Sequence, residues 1–418
     1  MKQRLESLDA LRGLDLLFLV AISDLIEELA EVINTPWMAS ITECFTHKRW
    51  EGFSPWDLVM PLFMFMAGVA IPFALEKYKE PFTQSGGSRK RFYFRLFRRI
   101  LLLWIFGMMV QGNLLALDPH RIYLFTNTLQ AIAVGYFFSA LIYLHTSWKT
   151  QIGIAVALLL TFWGAMEWIT IGGYGGGDYT PHGNLAEGID MMVLGRFRDT
   201  AQIIDGQVVV KESYTYTWIL SSLNFVVTVL SGVLAGQILK KKDSPLPAPP
   251  LGECSFSNGQ SKKLRPQRAI AESEQLGSEA TVGKSKKGAF LLFAIGIAMV
   301  ALGWTWGTIH PVIKHIWTGS MVLVSSGYCF LLMGLFYLWV DCLGHNKNLT
   351  VLKVYGMNSI TAYVVSHVIS FRSVSKSLFF GLEQYLGDYY DFILQLSNTT
   401  ILFLILYIMY RKKIFLRV

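Results

Sequence analysis

Long apolar segments dominate this 418-residue chain and restrict it to one kind of architecture. A run of about 20 apolar residues crosses the hydrocarbon core of a bilayer as a helix, and inside lipid only helices and closed barrels satisfy every backbone polar group. The predicted spans are residues 10–31, 56–76, 97–116, 125–146, 151–170, 215–239, 288–308, 317–340, 350–371 and 395–411. The sequence therefore predicts an all-α, polytopic integral membrane protein with about ten (10–11) transmembrane helices.

Basic residues gather in segments that lie outside the predicted spans. They cluster at residues 77–99, 240–287 and 411–417, and ten spans bring all three clusters to one side of the membrane. Because lysine and arginine accumulate in cytoplasmic segments, both termini are predicted to be cytoplasmic. This topology accounts for the net charge of +8, and without a recognition motif we expect no nucleic-acid partner.

The composition changes sharply at residues 243–287, which are rich in Pro, Ser, Gly, Lys and Glu and almost free of aromatic residues. Such a composition is typical of a disordered linker. We therefore expect one membrane domain over residues 1–418, with a cytoplasmic linker loop at 243–287. The four cysteines have no metal-ligand spacing, so the sequence predicts neither a metal site nor a disulfide.

The segment HKRWEGFSPWDLVMPLFMFMAG, from His47 to Gly68, places ionisable groups at the mouth of the second span. An imidazole there suits a nucleophile or a general base, and charge at a membrane mouth is usually retained for function. The alternative for His47 is a solvated loop histidine. Asp57 is predicted to orient that imidazole or to cap the helix. Trp50 either stacks on a sugar ring or belongs to the interfacial aromatic belt.

Four arginines are candidates for binding the phosphates of an acyl donor such as coenzyme A. They are Arg12 in the first span and Arg95, Arg98 and Arg99 at the cytoplasmic start of the third. The alternatives are an ion pair one turn along the helix for Arg12, and topology signals in contact with lipid headgroups for the other three.

Polar residues in other spans and loops are candidates for contact with a second substrate. They are Asn127 and Gln130 on one face of the fourth span, Asn358 and His367 in the ninth, and Asp190 in the long outer loop. The alternative for the amides is hydrogen bonding between helices, because polar groups in lipid must find partners.

The His47 segment resembles the pattern H-x-x-W-x-G-x-x-x-x-D-L-V-x-P of the membrane-bound heparan-α-glucosaminide N-acetyltransferase family. Weaker matches follow in order: SLDALRGL, RIYLFTNTLQAIAVGYF, NLAEGIDMMVLG, LAGQIL, HPVIKHIWTGSMVL and YGMNSITAYVVSHV. The resemblance implies that acetyl-CoA docks from the cytoplasm and that His47 passes its acetyl group to the amine of a glucosamine-type sugar on the far side. It also implies a bacterial-type member of the inner membrane, and a homodimer is compatible with it.

One departure from the family is Asp24, where relatives often carry asparagine late in the first span. Its carboxylate is a candidate substrate ligand or second base. Two other functions stay open at this stage. A polar midplane with aromatic residues also suits a permease for N-acetylglucosamine-type sugars, although a neutral sugar does not require His47 beside Asp57. The third possibility is a structural or assembly protein of the membrane.

Overall fold

The computed structural model describes residues 5–79, 89–111, 114–118, 122–204, 207–211, 213–242, 286–345 and 347–416. The helices of the first half are α1 (Glu6–Leu17), α2 (Ser23–Val32), α3 (Pro36–Cys44), α4 (Val59–Leu75), α5 (Arg89–Val110), α6 (Thr128–His145), α7 (Trp148–Trp168), α8 (Leu185–Leu194) and α9 (Ser222–Lys242). Those of the second half are α10 (Lys286–Trp306), α11 (Gly319–Phe336), α12 (Thr350–Met357), α13 (Ser359–Val368), α14 (Arg372–Leu378), α15 (Glu383–Leu386) and α16 (Tyr390–Arg411). Two short antiparallel hairpins pair β1 (Thr170–Ile171) with β2 (Tyr174–Gly175) and β3 (Gln202–Ile204) with β4 (Gln207–Val209).

The all-α membrane architecture is confirmed, but the count of ten spans is not. Within the described ranges, seven helices are long and apolar enough to cross a membrane: Pro55–Leu75, Thr128–His145, Trp148–Trp168, Ser222–Lys240, Lys286–Trp306, Gly319–Cys342 and Glu383–Arg411. The other three predicted spans are helical and more polar or interrupted. Residues 10–31 form α1, a π-helical turn and the acidic α2, 97–116 overlap the arginine-rich α5, and 350–371 are split at Asn358 into α12 and α13.

The predicted linker lies almost wholly outside the described residues, at 243–285. Its last two residues, Lys286 and Lys287, already belong to α10. Helix α10 thus begins two residues before the end of the predicted linker.

Helices α4 and α9 pack closely against one another. A Cβ atom on Gly68 of α4 would lie 2.0 Å from the carbonyl oxygen of Val229, and one on Gly232 of α9 would lie 2.0 Å from that of Phe65. Only glycine permits this approach, and small residues serve the same purpose at helix interfaces in membranes generally. The contact fixes the axis of α4, whose first turns carry the candidate site.

Helix α1 packs just as closely on the broken α12–α13 helix. A Cβ atom on Gly13 would lie 1.8 Å from the carbonyl oxygen of Leu352, and one on Gly356 would lie 1.9 Å from that of Asp9. This contact holds α1 against the segment that breaks at Asn358, so that Arg12 and the start of α13 line the same space.

Candidate functional site

The loop that joins α3 to α4 presents His47 to a carboxylate at the start of the next helix. Ser54 is the N-cap of the turn Pro55–Leu58, and its backbone and hydroxyl donate to Asp57 Oδ2 at 2.9 and 3.0 Å. This capping box occupies one carboxylate oxygen. The other, Oδ1, lies 2.8 Å from His47 Nδ1. Asp57 therefore caps the helix and contacts the imidazole at once, so the two alternatives considered for it coexist.

A lysine from a distant loop completes the cluster. The loop between α10 and α11 is joined to the His47 loop by a hydrogen bond from Gly52 N to Val312 O at 2.8 Å. Next along that loop, Lys314 Nζ lies 3.4 Å from Asp57 Oδ1 and 2.9 and 3.2 Å from the Nδ1 and Nε2 atoms of His47. The exposed fractions of the Asp57, Lys314 and His47 side chains are 1%, 7% and 39%. The buried Asp57 carboxylate and the buried Lys314 amine thus contact an imidazole that is accessible to solvent.

The surroundings of the cluster favour the neutral forms of its basic groups. Burial lowers the pKa of Lys314 to about 8, against the opposing attraction of Asp57. Burial also lowers the pKa of His47; Lys314 lowers it further, whereas Asp57 raises it. The neighbouring His315 has its pKa lowered to about 4, first by burial and then by Lys314. At neutral pH the expected state is an ammonium, a carboxylate and neutral imidazoles.

The cluster opens into a cavity of about 380 Å³, which we call the His47 cavity. Its polar wall includes His47, Lys314, Asn127 and His367. Aromatic side chains form much of the remainder: Trp56, Phe63, Tyr214, Tyr216, Trp218, Phe225, Trp317 and Tyr363. Aromatic faces beside a few polar groups suit a ligand that has both an apolar ring face and polar edges.

A second cavity of about 300 Å³, the Arg99 cavity, adjoins the first. Arg12 and Arg99 line it, and Phe63, Thr128 and Tyr363 face both cavities. The Arg99 guanidinium lies 4.0 Å from the centre of the Tyr136 ring. Among the described residues, its buried Nε atom has no hydrogen-bond partner. A guanidinium in this position can donate to an anionic group that enters the cavity.

The two cavities follow one another along α4 and the turn before it. The His47 cavity touches Trp56, Val59, Met60 and Phe63, and the Arg99 cavity touches Phe63, Ala67 and Ala70. From Trp56 to Ala70 a helix rises about 21 Å, which is a large part of the roughly 30 Å hydrocarbon core. The two cavities together therefore extend along a large part of the membrane thickness, separated by the side chains that line both.

Two predicted substrate residues, Gln130 and Asp190, bond to backbone groups and lie outside the described lining of the His47 cavity. Gln130 bonds the backbone nitrogens of residues 126 and 127 and the carbonyl of Leu124, completing a capping box with Asn127 at the start of α6. Asp190 accepts from Trp218 N and Ile219 N at 2.8 and 2.9 Å, and burial raises its pKa to about 7. These two side chains hold backbone in place.

Trp50 also packs instead of lining the cavity. Its ring stacks on His315 at 5.5 Å, and its Nε1 donates to the carbonyl oxygen of Tyr179 at 2.9 Å. Because His315 follows Lys314 directly, this stacking supports the loop that carries the lysine. The indole is adjacent to the site and contributes to its shape.

The remaining candidates divide between the two ends of α13. Asn358, at the break, is 2% exposed and donates to Val354 O at 3.2 Å. His367 lines the His47 cavity and also a smaller one of about 190 Å³, where it is joined by Asp24. Asp24 accepts from Gln395 Nε2 at 2.8 Å. Asp24 and His367 thus line one small cavity, and the described lining of that cavity does not include His47.

The four arginines are separated by the structure. Arg12 and Arg99 line the Arg99 cavity, and Arg12 also donates to Met66 O at 3.4 Å. Arg95 donates to the Tyr78 hydroxyl at 3.3 Å and is exposed, as is Arg98. Both lie outside the described lining of the cavity, which leaves the topological role for them.

Lys314 is the site residue that the sequence analysis missed. It lies 267 residues after His47, inside the segment HPVIKHIWTGSMVL, which drew attention only as a family resemblance. The available signal was a cation flanked by valine, isoleucine and tryptophan, since a lysine in apolar surroundings requires a partner.

Comparison with known proteins supports the pattern seen in the His47 segment. Human heparan-alpha-glucosaminide N-acetyltransferase is 25% identical over 462 residues, and the mouse protein of the same name is 24% identical over 421 residues. The alignments cover 99% and 90% of this chain. The chain is a distant relative of the heparan-alpha-glucosaminide N-acetyltransferases.

The relationship is remote and covers part of the relatives. This chain spans 60% of the length of the human N-acetyltransferase and 56% of that of the mouse protein. No family model matches the chain. The comparisons therefore show a distant similarity to these membrane proteins over part of their length.

Proposed function

We propose that this protein transfers an acetyl group from cytoplasmic acetyl-CoA to the amine of an amino sugar or glycan on the opposite side of the membrane. In this proposal the Arg99 cavity receives the donor, the His47 cavity receives the acceptor, and the acetyl group crosses between them at Phe63 and Tyr363. Both termini are cytoplasmic and the membrane is a bacterial inner membrane.

The observation that supports the proposal is that two cavities with different polar groups share a wall. One is lined by Arg12 and Arg99, and the other by a carboxylate-bound imidazole and Lys314. We expect donor and acceptor to enter from opposite sides and to meet at the shared wall. The His47–Asp57–Lys314 cluster suits transfer of a proton or an acyl group, whereas transport of a neutral sugar by a permease does not require it.

The Arg99 cavity has suitable groups for the donor. Phosphates carry negative charge and accept hydrogen bonds, and the unpartnered Nε of Arg99 supplies a donor that is already buried. Arg12 lines the same cavity. The thioester end of the donor would then reach towards Thr128, Phe63 and Tyr363, which also face the acceptor side.

The acceptor cavity has a base in a suitable position. Because His47 Nδ1 lies against the Asp57 carboxylate, we expect the ring proton on Nδ1, which leaves a lone pair on Nε2. As the amine nitrogen bonds to the acetyl carbon, Nε2 takes one amine proton. The electron pair of the broken carbon–sulfur bond goes to sulfur, and that thiolate finally takes up one proton. In this direct transfer, amine and thioester become amide and thiol. If the acetyl group is first transferred to Nε2, the carbon–sulfur bond breaks in that step and the thiolate leaves. The amine then attacks the acetylimidazole, the carbon–Nε2 bond breaks, and the amine proton passes to the freed Nε2 and finally to the thiolate.

The proposal is tested with purified protein in detergent, acetyl-labelled acetyl-CoA and a panel of amino sugars that includes glucosamine. We expect coenzyme A release and labelled N-acetyl sugar from the wild type, and neither from His47→Ala. Folded protein should be retained, because a 39% exposed imidazole contributes little to packing. Absence of turnover with every amine, together with sugar uptake by proteoliposomes, would replace this proposal with the permease.

A further inference from the structure

We propose that Lys314, and not His47, is the counter-ion of the buried Asp57 carboxylate, and that this leaves the His47 imidazole neutral and available as a base. The role assigned here to His47 rests on the proposed function. Lys314 is a positioning residue in this arrangement, because it acts on the reaction through His47.

The Asp57 carboxylate is buried. Its side chain is 1% exposed, and a carboxylate removed from water needs a cation or several hydrogen-bond donors nearby. Ser54 supplies two donors to Oδ2. In the described part of the chain, the basic groups within 4.0 Å of Oδ1 are the His47 imidazole and the Lys314 ammonium.

The His47 imidazole and the Lys314 amine compete to be the cation that neutralises Asp57. One carboxylate needs one unit of positive charge, and the distances are 2.8 Å from Oδ1 to His47 Nδ1 and 3.4 Å to Lys314 Nζ. Lysine is the stronger base by about four pKa units in water. Even with its pKa lowered by burial to about 8, Lys314 keeps its proton at neutral pH.

The Lys314 ammonium disfavours a positive charge on the His47 imidazole. Lys314 Nζ lies 2.9 and 3.2 Å from the two ring nitrogens, so a second positive charge on the ring would be strongly repelled. The other titratable groups near the cluster are His315, whose pKa burial lowers to about 4, Tyr216, whose pKa burial raises to about 12, and the exposed Lys48, whose charge is attracted by Asp57. His315 and Tyr216 are neutral at pH 7, and Lys48 pairs with Glu43 at 2.9 Å, which leaves the balance mainly to Lys314 and Asp57.

Removal of the Lys314 ammonium should leave His47 protonated and therefore unable to act as a base. In Lys314→Gln the buried Asp57 carboxylate would have His47 as its cation, and the imidazole would hold a proton at the pH where it must accept one. Lys314→Arg keeps the positive charge and should keep the imidazole neutral. The double variant Asp57→Asn with Lys314→Gln removes both charges and should also restore a neutral ring.

The test follows the modification of His47 by diethyl pyrocarbonate, which reacts with neutral imidazole, by mass spectrometry of its peptide between pH 5 and about pH 9. His47 is 39% exposed and within reach of the reagent. In the wild type we expect the midpoint below the ordinary histidine value of about 6.5. In Lys314→Gln we expect it at least about one pH unit higher, which makes modification about tenfold slower on the acid side.

The control is Lys353→Gln, which removes a lysine of α12 that pairs with Glu6 at 2.8 Å and should leave the midpoint unchanged. A wild-type midpoint above 6.5, or the same midpoint in Lys314→Gln and wild type, would overturn the assignment; the wild-type result needs no variant to fold. Acetyl transfer is measured on the same preparations. Shifted modification without turnover in the wild type would disprove the proposed function and leave the counter-ion assignment standing, and turnover without the shift would do the reverse.

Discussion

Phe63 of α4 and Tyr363 of α13 each face both cavities, so these two side chains form the wall between the arginine-lined space and the histidine-lined space. Close glycine contacts hold α4 against α9, and hold α12, which directly precedes α13, against α1. The wall is therefore part of a rigid frame, and a substrate on either side approaches the same two rings.

Enlarging Phe63 should obstruct this junction. We expect Phe63→Trp to lower the rate of acetyl transfer at least about tenfold, because added volume at a packed site displaces its neighbours. The donor KM should change little, since Arg12 and Arg99 lie further along the cavity. The matched control is Phe73→Trp, on the same helix and outside the described cavity linings. Equal rates in Phe63→Trp and wild type would contradict a route through this wall.

The arginines of α5 give a second, directly paired prediction. Arg99→Gln should raise the donor KM about tenfold, the effect of losing one charge-assisted hydrogen bond. Arg98→Gln removes the same charge from an exposed position one residue earlier and should leave donor kinetics unchanged. Steady-state kinetics with varied acetyl-CoA distinguish the two. An equal effect of both substitutions would indicate general attraction of the donor to a basic surface.

Asp57→Asn should separate orientation of the imidazole from helix capping. The amide can still accept from Ser54, so we expect folded protein, but the charge that fixes His47 is lost and the rate should fall at least about tenfold. Rate per folded molecule and yield by size-exclusion chromatography are measured together. A lower yield with an unchanged rate per folded molecule would reduce Asp57 to a capping residue.

The pH dependence of the rate should have an acid limb below the ordinary histidine value of about 6.5. Burial and Lys314 lower the pKa of His47, so its base form is lost only at more acid pH. In Lys314→Gln the ammonium that repels a proton on the ring is gone, and the limb should move to higher pH. In Lys314→Arg the charge is kept, and the limb should stay where it is in the wild type. Identical acid limbs in the wild type and Lys314→Gln would contradict this cause.

Asp190 should affect stability and leave chemistry alone. Asp190→Ala leaves the buried backbone nitrogens of Trp218 and Ile219 without their acceptor, at a cost of about 3 kcal/mol or more. The melting temperature in detergent should fall, whereas the rate per folded molecule should be retained. Asp178→Ala, which removes an exposed acceptor of Thr180 N, should alter neither. Loss of rate without loss of stability would return Asp190 to the substrate site.

The sequence predicted the architecture wherever apolar length was the deciding property. Seven of the predicted spans correspond to helices that meet that criterion. The first, third and ninth predicted spans do not meet it. Acidic residues in α2 and arginines in α5 lower the hydropathy of the first and third, and the break at Asn358 divides the ninth into two short helices.

The predicted site follows a similar division. His47 and Asp57 were found together because ten residues of loop and cap connect them, whereas Lys314 comes from a loop 267 residues away from His47. Gln130 and Asp190 were proposed as substrate ligands because residue type alone cannot distinguish a polar group that binds substrate from one that bonds backbone. Their hydrogen bonds in the structure make that distinction.

Transfer of the acetyl group across the membrane is tested with proteoliposomes that are loaded with glucosamine. Acetyl-labelled acetyl-CoA is added only outside the vesicles. Protein molecules whose donor cavity faces outwards should deposit labelled N-acetylglucosamine inside the vesicles and release coenzyme A outside. His47→Ala should do neither, while inserting to the same extent. Labelled product confined to the outside, or formed equally by His47→Ala, would contradict transfer across the membrane through His47.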